Sequence, residues 1–269
     1  MPRFRLLIEY NGTRYSGWQI QKNAKTVAGE IERAVRDATR RQAFELYGAG
    51  RTDAGVHAAG QVAHLDIYTD LPPATLRARI NDALPSDIYI RAIDKAPHRF
   101  HARHDARQRS YVYQISRRKT AFLKPFVWWI KDPLDTGAMR AAAAAFVGMR
   151  DFASFTADEP GEKSTTVLVD RIEIAEEGDL LLIRISGSHF LWRMVRRLAG
   201  VLAAVGRGEI AVDQAARYLD ERSDVPATLT APSSGLFLEA VYYGRESGPG
   251  PLAALPGVPR SGKTTAAVL

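Results

Sequence analysis

Residues 48–59 read Gly-Ala-Gly-Arg-Thr-Asp-Ala-Gly-Val-His-Ala-Ala, with one carboxylate, Asp53, among small and turn-forming residues and Arg51 two positions before it. Glycines at 48, 50 and 55 permit backbone torsions closed to other residues and let a second molecule approach the chain closely. Such a run suits a reactive Asp on a tight loop. A plain surface turn uses the same residue types, because Asp and Gly are ordinary turn formers. The run alone leaves both readings open.

Two other patterns invite chemistry and are set aside. His98, His101 and His104 fall three apart, but they alternate with Arg99, Arg103 and Arg107. Those arginines repel a cation, so a solvated loop facing an anion is expected and no metal site. Gly257-Val-Pro-Arg-Ser-Gly262-Lys263-Thr264 matches the phosphate-binding loop pattern literally. That pattern works only where a strand enters the loop and a helix leaves it. Here Leu-Pro-Gly-Val-Pro is a poor strand and five residues follow Thr264, so no nucleoside triphosphate is expected.

Composition narrows the classes. The 269 residues suffice for one large or two small domains, with 46% hydrophobic and 25% charged side chains as in ordinary globular proteins. Lys and Arg number 37 against 30 Asp and Glu, a net charge of +7 that suits a polyanion such as nucleic acid. Absence of cysteine excludes disulfides, thiolate zinc sites, iron–sulfur clusters and cysteine nucleophiles. The first ten residues hold too short an apolar run for a signal peptide, and no segment is long enough to span a membrane, so a cytoplasmic location is expected.

The loop needs elements to hold it. Phe4, Leu6, Ile8 and Tyr10 alternate with Arg5, Leu7 and Glu9 as in a strand, and Asn11-Gly12-Thr13 marks a turn. Thr26 can cap a helix with Val27, Ile31, Ala34, Val35 and Ala38 on one face. Strands are expected at 44–47, around Ala63, Leu65 and Ile67, and at 88–93, with a helix from Pro73 between the last two. Residues 97–109 break the pattern and read as a linker or cleft-lining loop. A second half restarts with a strand at 111–115, an Ala-rich helix over 135–147 and strands near 168–175 and 180–187. Leu191, Met194, Val195, Leu198, Val201, Leu202 and Val205 keep the spacing of a buried helical stripe. A short helix at 211–221 and a strand at 236–243 follow, giving an α+β class in two similar halves, 1–105 and 106–245. Residues 246–269, rich in Gly, Pro, Ala and Ser, read as a flexible tail.

With these residues in view the chain resembles the bacterial tRNA pseudouridine synthase A family. Tyr10-Asn-Gly-Thr-Arg-Tyr-Ser-Gly-Trp-Gln-Ile-Gln21 is similar to the family's opening motif, with Asn11 where Asp is more usual, and residues 50–58 to its catalytic signature. Phe100-His-Ala-Arg103 with Arg109-Ser-Tyr111-Val-Tyr113 looks like its substrate-facing segment. Phe190-Leu-Trp-Arg-Met-Val-Arg196 looks like the start of its long helix, and Ala231-Pro-Ser-Ser-Gly-Leu236 like its closing motif. The likeness runs from about residue 3 to 244.

The resemblance implies two halves, each an antiparallel sheet with helices on one face, meeting at a basic cleft, and a homodimer whose subunits share one tRNA. It implies isomerisation of uridine to pseudouridine at positions 38, 39 and 40 of the anticodon stem-loop, without cofactor or metal. Asp53 is then the catalytic carboxylate, Arg196 its cationic partner and Tyr111 the ring that stacks on the uracil and can help remove its C5 proton. Arg51 would hold the loop or fill the space of the flipped base. Arg103 and Arg109 would bind substrate, with Arg99, Arg107, Arg117, Arg118 and Lys119 as further phosphate contacts. The carboxylate could attack C1′, attack uracil C6 or remove a ribose proton. A non-catalytic RNA-binding protein would explain the charge but not Asp53, Tyr111 and Arg196 together. A hydrolase usually flanks its bond with two carboxylates.

Overall fold

A computed structural model describes residues 1–159, 161, 164–244, 246 and 248–255. The Gly257–Thr264 motif lies outside the described residues. Helices and strands mix along the whole chain: β1 (Arg3–Tyr10), α1 (Val27–Thr39), β2 (Phe44–Gly48), β3 (His57–Ile67), α2 (Pro73–Ala83), β4 (Ile88–Ala96) and β5 (Ala106–Ser116). Then come β6 (Trp128–Trp129), α3 (Thr136–Ala145), β7 (Gly148–Asp151), β8 (Thr166–Glu177) and β9 (Leu180–Gly187). Helices α4 (Met194–Gly206), α5 (Val212–Arg217) and α6 (Val225–Thr228) precede β10 (Leu236–Tyr243). Two compact units result. The first comprises Met1–Tyr111, Ser186–His189 and Phe237–Pro249; the second holds Val112–Ile185, Phe190–Leu236 and, among the described residues, those from Gly250 onward.

In the first unit the strand order is β4-β1-β3-β10, with β2 also on β3. β1 buries Phe4, Leu6, Ile8 and Tyr10 and leaves the alternate residues partly open, as its sequence period requires. Helix α1 starts at Thr26, whose side chain accepts from Gly29 N at 3.3 Å, and buries Val27, Ala28, Ile31, Ala34 and Val35. The edge of β3 changes partner: β2 pairs antiparallel with Ala63–Ile67, whereas β10 pairs parallel with His57 and Ala58. Residues 49–56 leave and rejoin the sheet at that change.

The second unit packs α3, α5 and α6 against α4 and pairs β7 with β8 antiparallel. All eight residues of β9 are buried. Asp135 caps α3 by accepting from Ala138 N at 2.9 Å. In α4 the stripe from Met194 to Val205 is buried as its spacing predicts, but the helix starts at Met194, so Leu191 lies in the turn before it.

Several expectations are corrected. The sheets are not purely antiparallel, since β3–β10 and β5–β6 are parallel pairs. Long connections, not hairpins, bring these strands together, and nothing in a long connection fixes antiparallel direction. The loop expected over 97–109 ends at Asp105, because β5 already begins at Ala106. The tail expected to be flexible from residue 246 is docked over its described part. Leu252 and Ala254 pack on Leu123, Val127, Leu180 and Leu182. Arg184, 1% exposed, donates to Gly250 O at 2.9 Å, Pro251 O at 3.3 Å and Glu173 at 3.1 Å. A buried guanidinium needs acceptors, and the tail backbone supplies them.

Candidate active site

Asp53 sits partly exposed in the 49–56 loop, and the opening motif is bonded to that loop. Trp18 N donates to Thr52 O at 3.1 Å, Gly55 N to Tyr15 O at 3.2 Å and Gly12 N to His57 Nδ1 at 3.0 Å. The hydroxyls of Tyr10 and Thr52 share a hydrogen bond of 2.8 Å. Glycine is needed where the two segments touch. A Cβ on Gly12 would stand 1.9 Å from Val56 O, and one on Gly17, at φ +92°, 2.5 Å from Thr52 O. From the sheet side, Ala49 N donates to Val62 O at 2.7 Å and Gln61 Nε2 to Gly50 O at 3.0 Å. Of the three glycines singled out in the sequence, Gly55 has φ +78° and Gly48 lies against the Trp18 ring, while a Cβ on Gly50 would point into open space.

Arg109 and Tyr111 stand on β5 in the same unit as Asp53. Arg109 Nη2 donates to Ala49 O at 3.2 Å and Arg103 O at 2.8 Å, and Nη1 to Ala106 O at 2.9 Å and Ser188 O at 2.7 Å. Four carbonyls thus share one guanidinium, and burial lowers its pKa. These bonds tie the Asp53 loop to the segment after β4, a holding role where the sequence suggested a phosphate contact. Tyr111 is 8% exposed. Burial pushes its phenol up to about 12; the charge of Arg109 pulls it down and that of Asp53 pushes it further up. Asp53 and Tyr111 therefore lie within electrostatic reach of each other.

Arg196 lies in the second unit, in the first turn of α4. Its Nε donates to Ala231 O at 2.8 Å, and its own carbonyl accepts from Ala231 N at 3.1 Å. Tyr113 Oη donates to Pro232 O at 2.8 Å, so α4, the closing motif and β5 are stitched together within this unit. Arg193, just before the helix, has φ +62°, and its guanidinium lies 5.0 Å over the half-exposed Trp192 ring.

Arg51, Arg99, Arg103 and Arg107 are exposed. Arg117 and Arg118 are engaged instead by Glu176 at 2.6 Å and Asp179 at 2.7 Å, which weakens their suitability as phosphate contacts. Lys119 lies 5.2 Å over the Trp129 ring. Among the described residues no group of three or more His, Asp or Glu side chains is placed to hold a metal ion. His101 Nδ1 accepts from the backbone N–H groups of Arg103 and His104 at 3.2 and 3.3 Å. The residues that sequence reasoning missed are the holders: Gly12, Gly17, Trp18, His57 and Gln61. The density of glycine and aromatic residues in the opening motif was the available signal.

A family model described as tRNA pseudouridine synthase matches residues 6–105 and 142–244. The chain belongs to the tRNA pseudouridine synthase family. The synthase-family match takes in Arg51, Asp53, Arg103 and Arg196, while Arg109 and Tyr111 fall between its two stretches. Among curated synthases the chain is similar to tRNA pseudouridine synthase A of Pseudothermotoga lettingae, 37% identical over 90% of this chain and 100% of that protein. It is 40% identical to that of Rhodopseudomonas palustris strain BisA53 over the same shares, and 41% to that of strain BisB18. No helix among the described residues of this synthase-family chain is long and apolar enough to cross a membrane.

Proposed function

We propose that this chain isomerises uridine to pseudouridine at positions 38, 39 and 40 of the tRNA anticodon stem-loop. As a family member it is an isomerase that acts on tRNA. The observation that carries the finer reading is the placing of Asp53 on a loop held by two other segments, within electrostatic reach of the buried Tyr111. The reaction breaks the uracil N1–C1′ bond and joins C5 to C1′. The C5 proton leaves, N1 gains one, and nothing is oxidised or hydrolysed, so the reading includes no cofactor or metal.

Asp53 acts as the carboxylate that meets the ribose or the base of a flipped uridine. Eversion costs a few kcal/mol, which phosphate contacts from exposed arginines such as Arg103 offset. Arg51 holds the loop or fills the space that the base leaves. With its pKa near 12, Tyr111 keeps its proton at neutral pH, which suits stacking on uracil better than abstraction of the C5 proton. Arg196 supplies the cation that keeps the carboxylate ionised beside a polyanion. Two antiparallel-rich halves with helices on one face, a basic cleft, a homodimer, a cytoplasmic setting and no nucleoside triphosphate complete the proposal.

The test is incubation of the protein with unmodified tRNA, followed by mapping of pseudouridine at single-nucleotide resolution. Signal at 38–40 that vanishes in Asp53→Asn, with tRNA affinity kept within a few-fold, is the expected result. Free uracil would revive a hydrolase. Binding without tritium release from C5-labelled uridine would leave an RNA-binding protein.

A further inference from the structure

Beside the Asp53 loop lies a row of rings that the proposed chemistry leaves unused. Tyr47, on β2, pairs in register with His64 on β3, and their rings stack at 5.2 Å and 23°. His101 meets His64 edge-on at 4.7 Å and Tyr47 at 6.0 Å, and His104 lies 4.2 Å from His101. The inner members are fixed. His64 is 1% exposed and its Nδ1 accepts from Ala102 N at 3.1 Å, while Asp105 accepts from His101 N at 2.8 Å. The outer members face solvent: Tyr47 is 48% exposed, and His104 is exposed as well.

We propose that the exposed rings of Tyr47 and His104, backed by His64 and His101, form a platform on which a nucleotide flanking the target uridine stacks. Three observations support an RNA base as the occupant. Flat rings held in place lose little freedom when a base covers them, and every base presents a π-face. Arg99 and Arg103 are exposed on the segment that supplies His101 and His104, where they can meet the adjoining phosphates. Finally, the platform is fixed to the catalytic loop. Tyr47 precedes Ala49 by two residues, and Arg109 bonds both Ala49 O and Arg103 O. A strand whose uridine is everted toward Asp53 then passes a segment that carries these rings, and its neighbouring base is the group that would cover them.

This inference rests on the reading that the chain acts on tRNA. Its test uses the full chain carrying Asp53→Asn, so that binding is measured without turnover, and unmodified tRNA transcripts with an abasic nucleotide placed singly on either side of the target. Tyr47→Ala should weaken binding of intact tRNA by about ten-fold, and Tyr47→Phe should bind as the parent does, because one stacked base contributes on that order. At one flanking position the abasic tRNA should bind Tyr47→Ala and its parent equally well. Should Tyr47→Ala fail to fold, His104→Ala at the other end of the row carries the same comparison. Unchanged affinity in the ring-deleted variant, an equal loss in Tyr47→Phe, or additive losses at every abasic position would overturn the platform. If the unmutated chain forms no pseudouridine in tRNA, the underlying reading fails instead, and that result is separate.

Discussion

Arg109 Nη2 donates to the carbonyl oxygen of Ala49 at 3.2 Å, which makes the entrance of the Asp53 loop depend on a side chain sixty residues away. With its other bonds to Arg103, Ala106 and Ser188, the guanidinium is occupied by backbone. Arg109→Met should therefore cost about 2–3 kcal/mol in stability through stranded carbonyls and lower kcat at least ten-fold. It should leave the salt dependence of tRNA binding in place. Arg103→Ala should do the reverse, reducing the log–log salt slope by about one while sparing stability. A reduced slope in Arg109→Met would return that residue to the phosphate contacts.

The opening motif sets a second dependence. A methyl group on Gly17 would meet Thr52 O at 2.5 Å and the Asp53 carbonyl carbon at 3.2 Å, from a backbone at φ +92°. Gly17→Ala should lose about 1–3 kcal/mol and displace the carboxylate, so activity should fall further than the folded fraction does. Gly50→Ala is the control, since among the described residues its added methyl meets nothing within 4 Å beyond its chain neighbours. Melting curves and turnover for both variants check this. Equal stability of the two would show that the contact at Gly17 yields freely.

What could be read from the chain was what side-chain type encodes. Alternation gave β1, a capping Thr26 gave the start of α1, and an apolar stripe gave α4. The Asp53 run stood out because few residue types can form it. What could not be read depends on the backbone or on distant pairing. The bonds from Trp18 N and Gly55 N use groups that every residue carries, so no side chain announces them. The parallel pairing of β10 with His57 and Ala58 joins positions about 180 residues apart and involves two residue pairs, too few to leave a pattern. Of the described residues after Pro249, Leu252 and Ala254 pack on an apolar cluster but show no period that would mark them, and the anchor Arg184 looks like any charged strand residue until its burial is seen.

His64 makes stability depend on pH. Burial, followed by the charges of Arg3 and His101, lowers its pKa from 6.5 to about 4. The unfolded chain then binds a proton between those values that the folded chain refuses, so stability is full above pH 6.5 and falls as pH drops toward 4. The loss from this ring should reach about 2–3 kcal/mol. Asp66, held below its usual range chiefly by its hydrogen bond to Arg3, adds its own loss at lower pH. In His64→Gln the side-chain oxygen can still accept from Ala102 N, and stability should change less between pH 6.5 and 4 than in the unmutated chain. Parallel denaturation profiles for the two proteins across that window would assign the slope elsewhere, to His101 or His189, whose pKa values burial also lowers.

The docked tail gives the last test. Ending the chain after Pro249 removes the Gly250 and Pro251 carbonyls from Arg184 and uncovers Leu123, Val127, Leu180 and Leu182. Glu173 still faces that guanidinium, which is built into a wholly buried strand. Taking two acceptors from a buried charge is costly, and exposed apolar area adds to it, so the truncated chain should lose about 2–3 kcal/mol and roughly 5–10 °C in Tm. Arg184→Met in the truncated chain should recover part of that loss, because methionine asks for no acceptor, whereas the same substitution in the full chain strands two carbonyls and should not stabilise it. Pseudouridine formation at low temperature should persist in the truncated chain, since the bonds of residues 250–255 go to Arg184, Glu177 and Gln114, none of them a residue given a part in the chemistry. Equal melting of the truncated and full chains would mean that the strap rests on the second unit without holding it.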